Sequence, residues 1–438
     1  MLKLKREIAF KTTEVGKIPK EWDTPRLEEF IDLKSGNYFR FSEFTRFGVK
    51  CLKIDNVSFG EISWDTVSFL PERYLDEFFD LVLKEDDIVI ALNRPIINGQ
   101  IKVARIKKRD CPSLLYQRVG KIAYKREGVD HNFLFFVFLS EYFKQQLWSS
   151  LVGTDQPYIR TPMFLNIKIP LPPFEEQKRI GSVLLWFDNL IENKRRQNEV
   201  LEGVAMAVFK SWFVDFEPFK DCEFVPSELG EIPKGWDVKP LIDIATLFKG
   251  VSYGSSEISA EHQGNLFITL NNFLRGGGFK SEYEYYIGSK AKEEQKVRGG
   301  DLIIALTDVT PQAKVVGAPA IVSLPYGYDF GVISLDCGKL QLRKECLRLY
   351  LYLYLKNTQE ENSTFANGVN VLHLNTTLFM RNKLILVPPE PILKEFHSFA
   401  EPLFRKILLN QKQILILRKI RDTLLPLLVF GRLRVEEI

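Results

Sequence analysis

The chain has 438 residues, too many for one hydrophobic core, so two or three domains are expected. Hydrophobic residues at 45% and charged residues at 26% are ordinary for a water-soluble globular protein, and a net charge of +4 neither demands nor excludes nucleic acid, so any basic surface must be local. Five scattered cysteines without a Cys-x-x-Cys pair fit a reducing cytoplasm; the longest apolar run, residues 133–139, is too short to span a bilayer, and the basic N-terminus lacks an apolar signal core.

In chain order, EVGKIPKEWD (residues 14–23) returns as ELGEIPKGWD (residues 228–237), 214 positions later. After each Trp-Asp a short helix is expected, over residues 27–33 and 241–247. A turn follows, Lys34-Ser35-Gly36-Asn37 and Lys249-Gly250-Val251-Ser252. KEDDIVIAL (84–92) and RGGDLIIAL (298–306), again 214 apart, predict a turn and then a buried strand. A polar loop comes next in each copy, Asn93-Arg94-Pro95 and Thr307-Asp308-Val309. Further strands are predicted over 101–106, 120–124, 320–324 and 332–335, and a Phe-rich helix over 130–147. Its counterpart, 345–356, alternates leucine with Arg or Tyr, which by period alone is a strand; its place in the repeat argues for helix, and helix is the expectation.

Each copy then has a loop (152–161; 366–373), an apolar strand, a double proline (Pro172-Pro173; Pro388-Pro389) and a long amphipathic helix. In the first helix Ile180, Leu184, Phe187, Ile191, Leu201, Ala205 and Val208 form a coiled-coil seam, with Lys194 and Asn198 as polar breaks. The seam recurs 216 positions on, from Phe396 through Ala400, Leu403, Ile407, Asn410, Ile414, Leu417 and Arg421 to Leu424. About forty residues at ~1.5 Å rise make a rod of roughly 60 Å. Antiparallel pairing would bring Lys194 and Asn410 together near the middle as a polar layer that fixes register. The repeat is cut as a ring would be, so the chain ends should lie near each other.

The loops diverge where the scaffold does not. Asp55-Asn56-Val57-Ser58 faces Leu270-Asn271-Asn272-Phe273, and Arg94-Pro95-Ile96 faces Asp308-Val309-Thr310. Gly153-Thr154-Asp155-Gln156-Pro157-Tyr158 faces Asn367-Gly368-Val369-Asn370. Two reading heads of different specificity, or neutral drift on exposed loops, both produce this pattern.

No enzyme motif is complete. Residues 275–281 lack the glycine that a phosphate-cradling loop needs before its lysine. Pro172-Pro173-Phe174 follows Leu171 and has no side-chain amide to offer a methyl acceptor. His131, His262, His373 and His397 have no ligand spacing. Asp87 and Asp301 stand at turn-to-strand junctions without a following Glu-x-Lys, so turn capping is expected of them. The basic residues are more suggestive: Lys102, Arg105, Lys107, Lys108 and Arg109 cluster, Arg40, Arg94, Arg118 and Arg160 lie in or near loops, and Lys249, Arg275, Lys280 and Lys314 do so in the second copy. As a set they suit phosphate contacts beside Asn, Gln and Arg that read base edges.

IPLPPFEEQKRI (169–180), VFKSWFVDFEP (208–218), GEIPKGW (230–236) and RDTLLPLLVFGRLRV (421–435) resemble the specificity subunit of type I restriction–modification systems, over nearly the whole chain. One departure is that Pro388-Pro389-Glu390-Pro391 lacks the Glu-Glu-Gln of residues 175–177. The resemblance implies an α+β fold: two pseudo-twofold-related globular α/β target recognition domains separated by two long antiparallel helices in a coiled coil. The expected division is residues 1–171, spacer helix 172–217, second domain 218–388, and second helix with tail 389–438. It further implies a non-catalytic, cytoplasmic subunit that binds double-stranded DNA, each domain reading half of an asymmetric bipartite target. Two modification (methyltransferase) subunits and restriction (endonuclease) subunits would be its partners, with no membrane. S-adenosylmethionine, ATP and Mg would sit on those partners, and no cofactor, metal or catalytic residue on this chain. The candidate DNA-contacting residues are Asn37, Tyr38, Arg40, Asn56, Arg94, Tyr158 and Arg160, with Tyr253, Asn271, Asn272, Arg275, Asp308 and Asn370. A self-contained methyltransferase or nuclease, or a scaffold that binds no DNA, are the alternatives.

Overall fold

The two halves of the repeat fold into the same pair of small sheets. The computed structural model describes residues 3–437 apart from residues 8, 154, 260–262 and 310–312. Thr154, His262 and Thr310 thus lie outside the described residues. By their internal contacts the residues fall into two units, one running to Asn189 and resuming at Arg418, the other Leu190–Leu417.

In the first unit an antiparallel sheet runs in the order Val103–Arg105, Ile88–Ala91, Val119–Tyr124, Ile31–Ser35. All four residues of Ile88–Ala91 are buried, which explains an apolar run without alternation. Asp87 caps the turn before it: its carboxylate accepts from the Lys84 amide at 2.8 Å and pairs with Lys121 at 2.6 Å. A second sheet runs Phe69–Leu70, Val49–Leu52, Ser113–Leu115, Val82–Leu83, its middle pair parallel. The second unit repeats both. Ala245–Lys249, Cys337–Leu342, Leu302–Ala305 and Pro319–Ile321 form the antiparallel sheet. Asn265–Ile268 and Gly331–Ile333 are the parallel pair of the other, which gains the strand Ile258–Ser259 at its edge. Asp301 repeats the cap, on the Arg298 amide at 2.8 Å and Lys339 at 2.9 Å.

Three expectations are corrected. The helices expected over 27–33 and 241–247 are single turns, Leu27–Glu29 and Leu241–Asp243; the strands Ile31–Ser35 and Ala245–Lys249 take the rest. Pairing along five residues with Val119–Tyr124, which buries Ile31 and Leu33 on one face, overrides local helix preference. The helix expected over 130–147 is two, His131–Leu139 and Glu141–Ser150. Between them the Ser140 hydroxyl accepts from the Phe143 amide at 3.2 Å and donates to the Val137 carbonyl at 2.6 Å, capping the second. The polar layer between the long helices also departs from expectation, by one turn.

Leu347–Asn357 is helical, as its place in the repeat requires. Its alternating leucines and two of its three tyrosines are buried, with Tyr354 half-buried, because the helix is packed on most of its faces. Tyr350 packs on Phe209 and Phe213, at 5.7 and 4.9 Å between ring centres, and the Tyr352 hydroxyl donates to Glu202.

The long helices, Phe174–Phe213 and Glu390–Val429, have forty residues each. In the second unit they pair antiparallel, with Ile191, Ala205, Phe396, Ala400, Ile407 and Ile414 buried. The polar layer is shifted by one turn from expectation: Lys194 reaches Gln413 at 2.5 Å, while Asn410 donates to Asn198 at 2.9 Å and to Gln197 at 3.3 Å. In the first unit Ile180, Leu184 and Phe187 are buried, and Asp188 pairs with Arg421 at 2.6 Å. Lys3–Arg6 pairs antiparallel with Leu433–Glu437, so the two ends do lie together.

The first helix start is fixed from inside. Glu176, 2% exposed, accepts from the Trp22 indole at 3.2 Å and is held by a two-point contact with Arg434, which also pairs with Glu7 and Glu21 at 2.7 Å. Gln177 bonds the Gly128 and Pro172 carbonyls and the Asp130 amide.

Candidate nucleic-acid interface

Both units gather loops at the same edge of the antiparallel sheet, by the same backbone bonds. In the first, the Asn37 amide donates to the Leu115 carbonyl at 3.3 Å, and the Gln117 amide returns to the Asn37 carbonyl at 2.8 Å. The Leu92 amide reaches the Arg118 carbonyl, and the Ile159 amide the Leu92 carbonyl, both at 2.8 Å. The Arg94 amide donates to the Pro157 carbonyl at 2.7 Å. Segments around residues 37, 94, 117 and 158 therefore meet. In the second unit Val251 bonds Ile333 and Leu335, Leu306 bonds Asp336, and Leu374 bonds Leu306, which gathers the segments around 251, 307, 335 and 373.

Glycine makes the meeting possible. A Cβ on Gly36 would stand 2.4 Å from the Leu115 carbonyl oxygen, and one on Gly250 would stand 2.1 Å from that of Ser334. No other residue allows that approach.

The candidates separate by environment. Asn37, Tyr38, Arg40, Arg94 and Arg160 are exposed in the first unit, and Tyr158 is half-buried with its hydroxyl 3.4 Å from Arg160. Tyr38 leans on Tyr116 at 6.4 Å. Arg94 adopts a left-handed φ of 47° and Arg118 one of 66°. In the second unit Asn370 is exposed at the tip of the hairpin Ala366–Asn367 and Leu372–Leu374. Tyr253 is half-buried against Phe267 at 4.8 Å, and burial pushes its phenol pKa up, with Asp336 and Glu284 adding. Asn271 and Arg275 are exposed, but on the turn that bonds Lys314 and Pro319; among the described residues no hydrogen bond ties that turn to the converging loops.

Three candidates turn inward. Asn56 accepts from the Lys53 amide and donates to the Ser63 and Thr66 carbonyls, at 3.0, 3.0 and 2.8 Å. Asn272 accepts from the Thr269 amide at 2.9 Å and donates to the Lys280 and Glu282 carbonyls. These two are each other's counterparts, which corrects the sequence alignment that set Asn56 against Asn271. Asp308, 2% exposed, accepts from the Val315 and Val316 amides at 2.7 and 3.2 Å. Their side chains brace loops and have no free edge for a base.

The basic cluster is also partly spent. Lys102 donates to the Ile54 carbonyl at 2.6 Å, and burial lowers its pKa, opposed by Asp55 and assisted by Arg94. Arg105 bonds Asn132 at 2.7 Å and pairs with Asp86 at 3.6 Å. Sequence reasoning passed over Tyr116, Gln117 and Ser334-Leu335-Asp336 as loop members. Their signal was a short polar break between two strands, 218 positions apart in the two copies.

Residues 19–203 and 233–417 each match the type I restriction modification DNA specificity domain, so the family covers both copies. The chain belongs to that family. The type I restriction enzyme MjaIX specificity subunit of Methanocaldococcus jannaschii is 32% identical across 100% of this chain and 99% of its own length. The MjaVIII specificity subunit of the same organism is 57% identical over 194 residues, 44% of this chain and 46% of that one. The S subunit of a type I restriction-modification system from M. genitalium shares the fold, with a TM-score of 0.51 at 14% identity over 97% of this chain and 99% of that one. As a specificity subunit, the chain recognises DNA rather than carrying the chemistry. No helix among the described residues is long and apolar enough to cross a membrane.

Proposed function

We propose that this specificity subunit reads an asymmetric bipartite DNA target, one half with residues 1–171 and the other with residues 218–388. The observation that supports asymmetry is a charge reversal on a shared frame. Arg94 and Arg118 occupy loop positions whose counterparts, by the backbone bonds above, are Asp308 and Asp336. Arginine suits guanine and phosphate; of the two carboxylates Asp308 is spent on its own loop, which leaves the half-buried Asp336 to repel phosphate or accept from a base such as cytosine. The readers in this account are Asn37, Tyr38, Arg40, Arg94, Tyr158 and Arg160, with Tyr253, Asn271, Arg275 and Asn370 in the second domain. Asp308 acts by shaping its loop.

The helices 172–217 and 389–438 form the coiled-coil ruler. Half-sites on one face of DNA recur about every 34–36 Å, within reach of a rod of this length. Val200 and Val204 on the first helix are exposed, and so are Ile416 and Ile420, 216 positions on. Such repeated apolar pairs suit docking of two copies of one partner, the modification subunits, with restriction subunits joining them in the cytoplasm. S-adenosylmethionine, ATP and Mg belong to those partners.

The test is a methylome. Expressed with its modification subunit in a host free of adenine methylation, the chain should yield one split, asymmetric N6-methyladenine motif with a fixed gap. An assembled complex that methylates nothing and binds no duplex overturns the reading. One helical turn inserted after Gln197 and after Gln413 together should change the gap and leave both half-sites; an unchanged gap removes the ruler.

A further inference from the structure

The segment between the strands Ile31–Ser35 and Val49–Leu52 carries two phenylalanines that the reader set does not use. Phe41 is 93% exposed and Phe47 82%, more than any other aromatic residue described. Two such rings six residues apart on one loop are an exposed apolar feature, and features of that kind mark interaction sites when they are grouped.

The loop path is held instead. Phe41 opens a short helical turn, Phe41–Glu43, whose backbone closes from Glu43 to Arg40 and from Phe44 to Phe41. The Glu43 carboxylate accepts from the Arg40 amide and from the Tyr74 hydroxyl, each at 2.6 Å, which anchors the turn to the domain. Phe44 points the other way and packs on Tyr116 at 6.0 Å under the Lys53 ammonium at 4.1 Å. The Thr45 amide bonds the Phe69 carbonyl at 2.9 Å, and its hydroxyl bonds the Phe47 carbonyl at 2.8 Å. Gly48 closes the segment with φ +140°, where a Cβ would stand 2.2 Å from the Leu70 carbonyl oxygen. Both rings are thus presented on a braced backbone.

Charge says what they are presented to. Arg40 and Arg46 on the same segment are exposed, as is Lys34 at the end of the strand before it, while the segment's one carboxylate, Glu43, is turned onto Tyr74 and the Arg40 amide. Exposed rings among cations suit a polyanion with an apolar interior, and duplex DNA is that: phosphates outside, stacked bases within. The segment starts at Asn37, inside the converging loops. Among the described residues of the corresponding segment in the second unit, the aromatic one, Tyr253, lies against Phe267 instead.

We propose that Phe41, seconded by Phe47, is an apolar wedge by which the first recognition domain packs against a base step, so that one half-site is selected partly by how readily that step opens. The inference rests on the DNA-reading role proposed above.

The test uses the complex of this chain with its modification subunits and duplexes of the methylome-derived target. 2-Aminopurine is placed in turn at each adenine of both half-sites. Binding should raise fluorescence at one step of one half-site only. Phe41→Ala should abolish that rise and weaken specific binding about tenfold with the salt slope unchanged, whereas Phe41→Leu should keep most of both. Arg46→Ala should instead reduce the salt slope. A Phe41→Ala/Phe47→Ala double variant that binds within twofold of wild type with the same fluorescence profile overturns the wedge. So does one that fails to assemble with its partner subunits, which would assign the rings to protein contact. A wild-type complex that binds no duplex at all refutes the DNA-reading role itself, a result distinct from either.

Discussion

Trp22 and Trp236 hold the same place in the two copies of the repeat, yet they are enclosed by different physics. Around Trp22 the closure is ionic: Glu176 accepts a hydrogen bond from its indole N–H, and Arg434 binds Glu176, Glu7 and Glu21 with its guanidinium over the ring at 5.7 Å. Around Trp236 the closure is aromatic, with Phe213, Phe216 and Phe219 at 5.9, 5.5 and 5.0 Å. The helix starts follow suit. Glu176 is buried, whereas Glu390 pairs at the surface with Lys344 and Lys394, which hold its carboxyl at about 2. The first unit joins segments from both ends of the chain, and fixed charges supply geometry there. The second is joined by continuous chain, and ring packing suffices.

That contrast can be broken most directly at Arg434. Arg434→Ala leaves Glu176 buried without its cation and should cost the first unit about 3 kcal/mol, the usual scale for half a buried pair. Hydrogen exchange should show the loss there and leave the second unit's protection intact; equal loss in both would refute independent closure.

The next effect should be symmetric. Asn56→Ala and Asn272→Ala each orphan a backbone amide and two carbonyls, so each should destabilise its own unit by about 2 kcal/mol in denaturant unfolding. Similar values would confirm that the two asparagines are one brace used twice.

Smaller and asymmetric again are the reading residues. Arg94→Ala should lose about 1–3 kcal/mol at one base position of one half-site if it reads guanine. Loss spread evenly over all sequences would make it a phosphate contact. Asn370→Ala should act only on the other half-site, by about 1 kcal/mol. Smallest in stability is Asn410→Leu, which removes the bond to Asn198: unfolding should shift by under about 1.5 kcal/mol, while alternative helix registers become detectable by cross-linking.

The repeat, the buried strands and both long helices were legible because apolar period survives in the residues themselves. Leu347–Asn357 needed the repeat to decide it, since a helix packed on most of its faces loses its period. The strand Ile31–Ser35 was missed because its partner lies some ninety residues away, and the break at Ser140 because a single hydroxyl makes it. Polar loops carry no period at all, so the register of Asn56 against Asn272 slipped by one. Nor does residue type tell direction. Asn271 and Asn272 are adjacent and identical, and only one faces water.

The paired braces separate two kinds of information within one short loop. Fold is specified by the inward asparagine, and the exposed neighbours contribute little to it. Mutational drift at the tips is therefore close to neutral for stability, which leaves them open to selection on target alone. A library randomised at Asp55 and Asn271, the exposed neighbours of the braces, with Asn56 and Asn272 left intact, should return mostly folded variants. Its members would differ in the DNA they recognise, and evolvability of this kind is a property of the loop's architecture.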